Sequence, residues 1–316
     1  MKRVTLTVCV LLAAAVPAVA QTAPQTPPAG RATGAPASPP PASYFSKSAP
    51  PDLVEFEMMT WPEVYRAIHD RGKTTALVYT GGTEQRGPQN VNGGHTLMAK
   101  ATVKAIALKL GNAIALPVLP YSPNGASAAL PGTIGLTNEL LGAMLEQIAE
   151  QAIITGFKNV ILMGDHGGGQ PRVYAEVAKK LEDKYAAKAQ AEGHAQDIHV
   201  YFCDEVYAKA QGDFEKYLQS QNLPTSSHAG IQDTSEMMYL QGSTNDYTRV
   251  DLLPVAFGGR GQQPADPNAP RPVSSGVSGD GRQSTVALGK MAFDNKVTYA
   301  VAQIQRLLAG SKSPDR

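Results

Sequence analysis

The sequence is short of cysteine, and this limits its covalent chemistry. Only Cys9 and Cys203 occur in 316 residues. Cys9 lies inside an apolar N-terminal run that we expect to be removed, which leaves Cys203 as the one cysteine of the mature chain. An internal disulfide is therefore excluded, although an exported protein could form one. Cys203 ends a run rich in aromatic and β-branched residues, which is typical of a buried strand thiol.

An excess of charge of either sign is also missing. The chain has 28 Lys and Arg against 27 Asp and Glu, with no basic stripe. We therefore expect no nucleic-acid partner. A Gly-x-Ser-x-Gly motif is absent as well, which argues against a serine hydrolase. The Gly167–Gly169 run would suit a phosphate at a helix start, but no Lys-Ser or Lys-Thr pair follows it.

The first twenty residues have the features of a secretory signal. Lys2 and Arg3 precede an apolar run from about Val4 to Val16, and 18–20 (Ala-Val-Ala) form a small-x-small cleavage pattern. The alternative is a membrane anchor, but the run is short and Ala-rich, whereas a span needs about 20 strongly apolar residues. We predict a signal peptide over residues 1–20, no stable membrane anchor, and a periplasmic or secreted protein.

A proline-rich stretch separates this segment from the body of the chain. Residues 21–52 carry nine prolines among Ala, Thr, Gln and Ser. Such a composition cannot bury apolar surface, so we predict a disordered linker. The remaining residues 53–310 are enough for one sizeable core and form the predicted domain.

Strand-like and helix-like segments alternate along this domain. Apolar runs predict strands, and helical spacing with caps predicts helices between them. Helices of this length between strands indicate βαβ units, and hence an α/β fold with a mostly parallel sheet covered on both faces. The inward stripe of the third helix is predicted to be Leu141, Met144, Ile148 and Ala152. The predicted strands are 75–80, 113–119 and 159–163, and the predicted helices are 60–70, 96–109, 137–156 and 171–187.

Metal-ligating residue types follow two of these strands. Glu84 and His95 come after strand 75–80, and His166 comes after strand 159–163. In parallel α/β folds, sites form beyond the carboxyl ends of the strands, so these loops can bring the three side chains together.

The same loops carry an ordered set of short motifs. The set resembles the creatininase family of metal-dependent amidohydrolases over roughly residues 55–305. The family pattern has Glu-x-His-Gly-Pro, an Asp eleven residues after that Glu, Gly-Asn-Gly-His, His-Ala-Gly with Glu-Thr-Ser, and Gly-Val-x-Gly-Asp. The segments that carry the resemblance are 84–88 (Glu-Gln-Arg-Gly-Pro), His95, 131–134 (Pro-Gly-Thr-Ile), 164–169 (Gly-Asp-His-Gly-Gly-Gly), 228–230 (His-Ala-Gly), 233–235 (Asp-Thr-Ser) and 276–280 (Gly-Val-Ser-Gly-Asp).

The resemblance implies a creatininase-like three-layer α/β/α fold and a site for two metals, of which this chain retains one ligand set. The first set maps onto Glu84, His95 in place of Asp, and His166. The second maps onto Arg86, His95 and Gly168. Arg offers no lone pair, and Gly has no side chain. We therefore expect one divalent metal, with zinc first and manganese as the alternative, at a centre with a position open to water.

The resemblance also implies roles for neighbouring residues. His228 matches the family's catalytic His, which protonates the leaving nitrogen or holds the substrate. Arg86 would supply the positive charge of the missing metal near the substrate oxygen. Asp233 would orient His228 or touch the metal. Asp165, where the family has Asn, either offsets local charge or caps the following helix.

The leading interpretation is an exported hydrolase of amide bonds in small molecules, with a homo-oligomer implied by the resemblance. Creatinine itself is not the expected substrate, because the second ligand set is missing and the protein is exported. The alternative is an inactive binding protein with the creatininase fold. Without metal, Arg86 and Glu84 would pair and the site would be inert, so metal content separates the two interpretations.

Overall fold

The computed structural model describes residues 38–50, 52–124, 127, 130–167, 170–259 and 275–310. The predicted signal peptide and most of the predicted linker lie outside these ranges. One compact unit begins at Pro39. No helix in the described ranges is both long and apolar enough to cross a bilayer.

Helices and strands alternate through most of the described chain. The α-helices are α1 (Trp61–His69), α2 (Gly94–Leu110), α3 (Asn138–Thr155), α4 (Gln170–Glu192), α5 (Ala208–Ser220), α6 (Ile231–Leu240) and α7 (Val286–Leu308). The strands are β1 (Thr75–Thr80), β2 (Ala113–Ala115), β3 (Asn159–Gly164), β4 (His199–Phe202), β5 (Phe257–Gly259) and β6 (Ser278–Asp280). Short 3-10 turns occur at Ala42–Tyr44, Phe56–Met58 and Val250–Val255.

The main sheet is parallel, as the alternation of strands and helices predicts. Its order is β2-β1-β3-β4, and the central pair is in register from Thr75 opposite Asn159 to Thr80 opposite Gly164. All six residues of β1 are buried, which is expected where helices cover both faces. Strands β5 and β6 form a separate antiparallel pair.

Two apolar cores lie on opposite faces of the sheet. Alternate residues of β1 divide between them, with Ala76 and Val78 in one and Leu77 and Tyr79 in the other. Helices α1, α3 and α4 supply the first core, and α2 and α7 supply the second. The three-layer α/β/α fold is thus confirmed.

Local chemistry explains several helix boundaries. The Thr60 backbone N–H donates to Glu63 at 2.7 Å in a capping box that starts α1. The Thr137 hydroxyl accepts from the Leu140 N–H at the start of α3, and Gly156 ends it at φ 119°.

Four predicted details differ from the structure, and the first is helix α4, which continues to Glu192 rather than ending at residue 187. Strand β2 stops at Ala115 rather than residue 119, because Pro117 has no N–H to continue a ladder. The inward stripe of α3 is Leu141, Leu145, Ala149 and Ala152, with Met144 and Ile148 only half-buried. Helix α2 begins at Gly94 rather than residue 96, which places His95 in its first turn.

The end of the predicted linker packs onto the domain. The Arg66 guanidinium of α1 lies 3.4 Å from the centre of the Phe45 ring, and the Tyr44 ring meets Trp61 edge to face. Aromatic residues can bury surface that the proline-rich sequence before them cannot. Residues 44 and 45, assigned to the linker by composition, therefore contact the domain.

Candidate metal centre

The three predicted ligands meet at the carboxyl edge of the parallel sheet. Glu84 lies in the loop after β1, and His166 lies two residues after β3. Because Thr80 and Gly164 are paired at the ends of these strands, both loops leave the sheet side by side. His95 approaches from the first turn of α2.

The ligand atoms converge on one small volume. Glu84 Oε2 is 2.8 Å from His166 Nε2 and 3.3 Å from His95 Nε2. One ligand atom from each residue lies within 4.8 Å of the other two. The side chains are nearly buried, with 1% of Glu84, 7% of His95 and 12% of His166 exposed. Two imidazole nitrogens and a carboxylate fit a divalent zinc or manganese ion that keeps a position open.

Protonation of the three ligands is set by their mutual contacts. Burial alone would raise the pKa of Glu84, but hydrogen bonds from His166 and His95 hold that pKa well below its usual range. Burial lowers the pKa of His166, which favours the neutral, ligating form. Burial and Arg86 lower the pKa of His95, but Asp165 and Glu84 outweigh them and raise it. Metal binding at His95 therefore competes with a proton.

A buried charged cluster lies directly behind His95. Asp165 Oδ1 is 3.4 Å from His95 Nδ1, and Asp165 Oδ2 is 3.3 Å from Lys296 Nζ. The same ammonium is 2.8 Å from Glu236 Oε2. Sequence reasoning missed Lys296 and Glu236. A lysine on the inward side of α7, beside Val297 and Ala300, is the signal that could have found Lys296.

Arg86 lies two residues after Glu84 in the same loop. Its side chain is fully buried, and its guanidinium is 2.9 Å from Asp233 Oδ1. The other Asp233 oxygen accepts from the Ala229 N–H at 2.7 Å. Burial raises the pKa of Asp233, but Arg86 and the nearby histidines lower it to about 2. Arg86 thus pairs with Asp233, while Glu84 contacts the histidines.

His228 faces Glu84 from the opposite side of the site. Its Nε2 donates to the Gln85 carbonyl oxygen at 2.7 Å, and its Nδ1 is 3.8 Å from Glu84 Oε1. Its backbone carbonyl accepts from the Ser278 N–H of β6 at 3.0 Å. Through Ala229, Asp233 holds the segment that carries His228. The Ser127 hydroxyl, also missed by sequence reasoning, contacts Glu84 Oε1.

A cavity of about 740 Å³ opens over the ligands. The three ligands, His228, Asp233 and Lys296 line it, and the described part of its wall does not include Arg86. Beyond the ligands and the buried charged cluster, its wall includes the charged Glu139 and is otherwise mostly uncharged and polar. Residues of that wall include Asn124, Thr137, Asn138, Tyr207, Gln211 and Gln232. This volume suits a small organic molecule. Gly168, which the resemblance aligns with a ligand of a second metal, lies outside the described residues.

Comparison with known proteins gives one family match and several structures with the same fold. The family model described as "Creatininase: Creatinine amidohydrolase" matches residues 57–304. No curated protein matches the sequence significantly. Several solved structures share the fold at low sequence identity.

A structure titled "Creatininase Mn" has a TM-score of 0.61 and 20% identity, covering 81% of this chain and 98% of that chain. A mutant creatininase of "Zn-Zn type" has a TM-score of 0.60 and 20% identity, with the same coverages. A putative creatinine amidohydrolase from Bacteroides fragilis NCTC 9343 has a TM-score of 0.59 and 17% identity, covering 84% of this chain and 99% of that one.

Proposed function

Because the chain belongs to the creatininase family, we propose that it is an exported hydrolase of amide C–N bonds in small molecules, with one divalent cation per site. The observation that carries the proposal is the convergence of Glu84, His95 and His166, in which Glu84 Oε2 lies close to Nε2 of both histidines. A divalent cation in such a donor set acidifies water and polarises a carbonyl. Zinc is the first expectation and manganese the second.

The charge of the buried cluster supports one cation rather than two. Arg86 and Lys296 supply two positive charges, and four carboxylates face them. With every carboxylate ionised and the histidines neutral, the cluster carries a net charge of −2. One divalent cation neutralises that charge, whereas a second would leave an excess of +2 in a buried site. The four carboxylates are Glu84, Asp165, Asp233 and Glu236.

His228 is proposed to move the proton that amide cleavage requires. A carbonyl oxygen can only accept, so the contact with Gln85 fixes the His228 proton on Nε2. The Nδ1 lone pair then faces the site beside Glu84. A base placed there can take a proton from water and return it to the leaving nitrogen. Asp233 contributes by holding the Ala229 N–H, one residue from this ring.

Arg86 is proposed to act on the site through its charge rather than by touching substrate. It is fully buried and paired with Asp233, and the amide substrate would lie in the cavity above the ligands. The lining supports small, polar, uncharged amides or lactams. A homo-oligomer remains part of the proposal on family grounds alone.

Metal content tests the centre directly. Protein purified without chelator should contain about one zinc or manganese per chain by elemental analysis. Glu84→Gln and His166→Ala should each lose it, because each removes one of three ligands. His194→Ala is the matched control, since His194 pairs with Glu192 at the surface and should keep the metal.

Activity is then sought by screening small amides and lactams with and without added metal. Metal-dependent turnover that Glu84→Gln abolishes supports the hydrolase. Absence of bound metal, together with no thermal shift on adding zinc or manganese, would favour the inactive binding protein instead.

Export is tested separately. The motif ending at Ala20 supports cleavage before Gln21. Cell fractionation should place the protein outside the cytoplasm, and N-terminal sequencing should begin at Gln21. A full-length chain that stays with the membranes would support an anchor.

A further inference from the structure

We infer that Asp165 is a positioning residue for His95 and that Lys296 anchors Asp165 in that role. In this arrangement Asp165 accepts the proton on His95 Nδ1, and His95 Nε2 is left to offer its lone pair to the metal. The inference rests on the proposed metal centre and concerns how one of its ligands is prepared.

The two nitrogens of His95 face different partners. Nε2 lies 3.3 Å from Glu84 Oε2, on the side where the three ligand atoms converge. Nδ1 lies 3.4 Å from Asp165 Oδ1. A neutral imidazole carries its proton on one nitrogen and a lone pair on the other. A carboxylate beside Nδ1 therefore selects the tautomer whose lone pair is on Nε2.

The pairing is specific because both atoms are isolated from other partners. His95 Nδ1 and Asp165 Oδ1 are buried, and neither has a hydrogen bond of good geometry elsewhere in the described chain. A buried polar atom without a partner is costly, so each favours a shift toward the other. A small rotation of either side chain would turn the 3.4 Å contact into a hydrogen bond.

Lys296 restrains the other end of the same carboxylate. Its ammonium lies 3.3 Å from Asp165 Oδ2 and 2.8 Å from Glu236 Oε2. Its side chain is only 5% exposed. Rotation of Asp165 away from His95 would break the Lys296 contact in a buried site. Glu236 on α6 and Lys296 on α7 thus restrain Asp165, which directly follows β3.

The proton position in zinc-loaded protein is the decisive measurement. Long-range proton–nitrogen NMR of histidine-labelled wild-type protein should show His95 protonated on Nδ1, with its proton shifted downfield by Asp165. A proton on Nε2, or no histidine Nδ1 proton that responds to Asp165, would overturn the inference. The measurement is made on wild-type protein, and variants are used only to assign the His95 signal.

Zinc affinity gives the second measurement, by competition with a chromophoric chelator. Asp165→Asn should bind Zn²⁺ about 10- to 100-fold more weakly, the usual loss when the carboxylate behind a ligating histidine is removed. Asp197→Asn is the matched control, because Asp197 pairs with Lys158 at the surface. Thermal unfolding with chelator present checks that both variants are folded.

Lys296→Met separates anchoring from simple charge. By charge alone, removing a buried cation should tighten Zn²⁺ binding, whereas loss of the anchor should weaken it. Weaker binding that Lys296→Arg restores supports the anchor, and tighter binding would overturn that part of the inference.

Failure of the inference and failure of the proposed function look different. If wild-type protein binds one zinc and Asp165→Asn binds it equally well, the inference is wrong and the metal centre stands. If wild-type protein binds neither zinc nor manganese, both are wrong.

Discussion

The Arg86 guanidinium and the Asp233 carboxylate form an ion pair with a nitrogen–oxygen distance of 2.9 Å, and Arg86 lies two residues after the candidate metal ligand Glu84. Arg86 is fully buried, whereas a quarter of the Asp233 side chain is exposed. The pair joins the loop after β1 to helix α6, and so connects two parts of the site that are distant in sequence.

Removing Arg86 should therefore destabilise the protein strongly. We expect Arg86→Met to lower the free energy of unfolding by about 3 kcal/mol, because Asp233 would lose its partner. Urea unfolding of metal-free protein measures the change. Arg282→Met is the control, since Arg282 pairs with Asp280 at the surface and should change the free energy of unfolding much less. Equal changes in the free energy of unfolding for the two variants would show that the buried ion pair stabilises the protein no more than the surface pair does.

The backbone beside Arg86 should be equally sensitive. A Cβ at Gly94 would lie 2.7 Å from Arg86 Cδ and 2.8 Å from Arg86 Nε. Gly94→Ala should displace the guanidinium and cost about 1–3 kcal/mol, as overpacking does. Gly212→Ala is the matched control, because nothing lies within 4 Å of a Cβ added within α5. That change should stabilise the helix by about 0.5–1 kcal/mol. If Gly94→Ala stabilised the protein as Gly212→Ala does, the Arg86 side chain would have moved to make room for the new Cβ, and the prediction would be wrong.

Acid should weaken the Arg86–Asp233 pair in a defined pH range. The pKa of Asp233 is lowered in the folded protein from 3.8 to about 2. The unfolded chain then takes up the proton first as the pH falls, so the contribution to stability is full above about pH 4 and is lost by about pH 2. We expect the difference in unfolding free energy between wild-type and Asp233→Asn protein to shrink across that range. A difference that stays constant from pH 6 to pH 2 would contradict the lowered pKa.

The sequence predicts that Glu84, His95 and His166 converge, because their positions follow from topology. Parallel strands end at the same edge of the sheet, so side chains that follow β1 and β3 must approach each other. That rule and the strand boundaries are enough to place Glu84 and His166 close together, whereas the metal-binding interpretation also drew on the family resemblance. His95 also needed the resemblance in spacing, because a histidine near the start of a helix has many other uses.

The support behind the ligands was beyond sequence reasoning. Lys296 reaches Asp165 across 131 residues of sequence, and no local pattern specifies which buried carboxylate a lysine of α7 will meet. For the same reason the sequence does not predict the partner of Arg86, because Asp233 lies on α6 and is distant in sequence. The inward face of α3 was misassigned at two positions for a different reason. Leu, Met, Ile and Ala recur there so often that composition does not settle the rotation of the helix.

His228 offers the sharpest separation of catalysis from metal binding. Its Nδ1 lies 3.8 Å from Glu84 Oε1, and it stands outside the group of three converging ligands. His228→Gln should therefore keep one metal per chain while lowering kcat about 10²- to 10⁴-fold on an amide found by screening, the usual effect of losing a proton-transfer group. Elemental analysis and steady-state kinetics on the same preparation measure both quantities. His194→Gln, at a surface histidine, should change neither. A His228→Gln protein with unaltered kcat would remove His228 from proton transfer, and one that had lost its metal would make His228 a ligand instead.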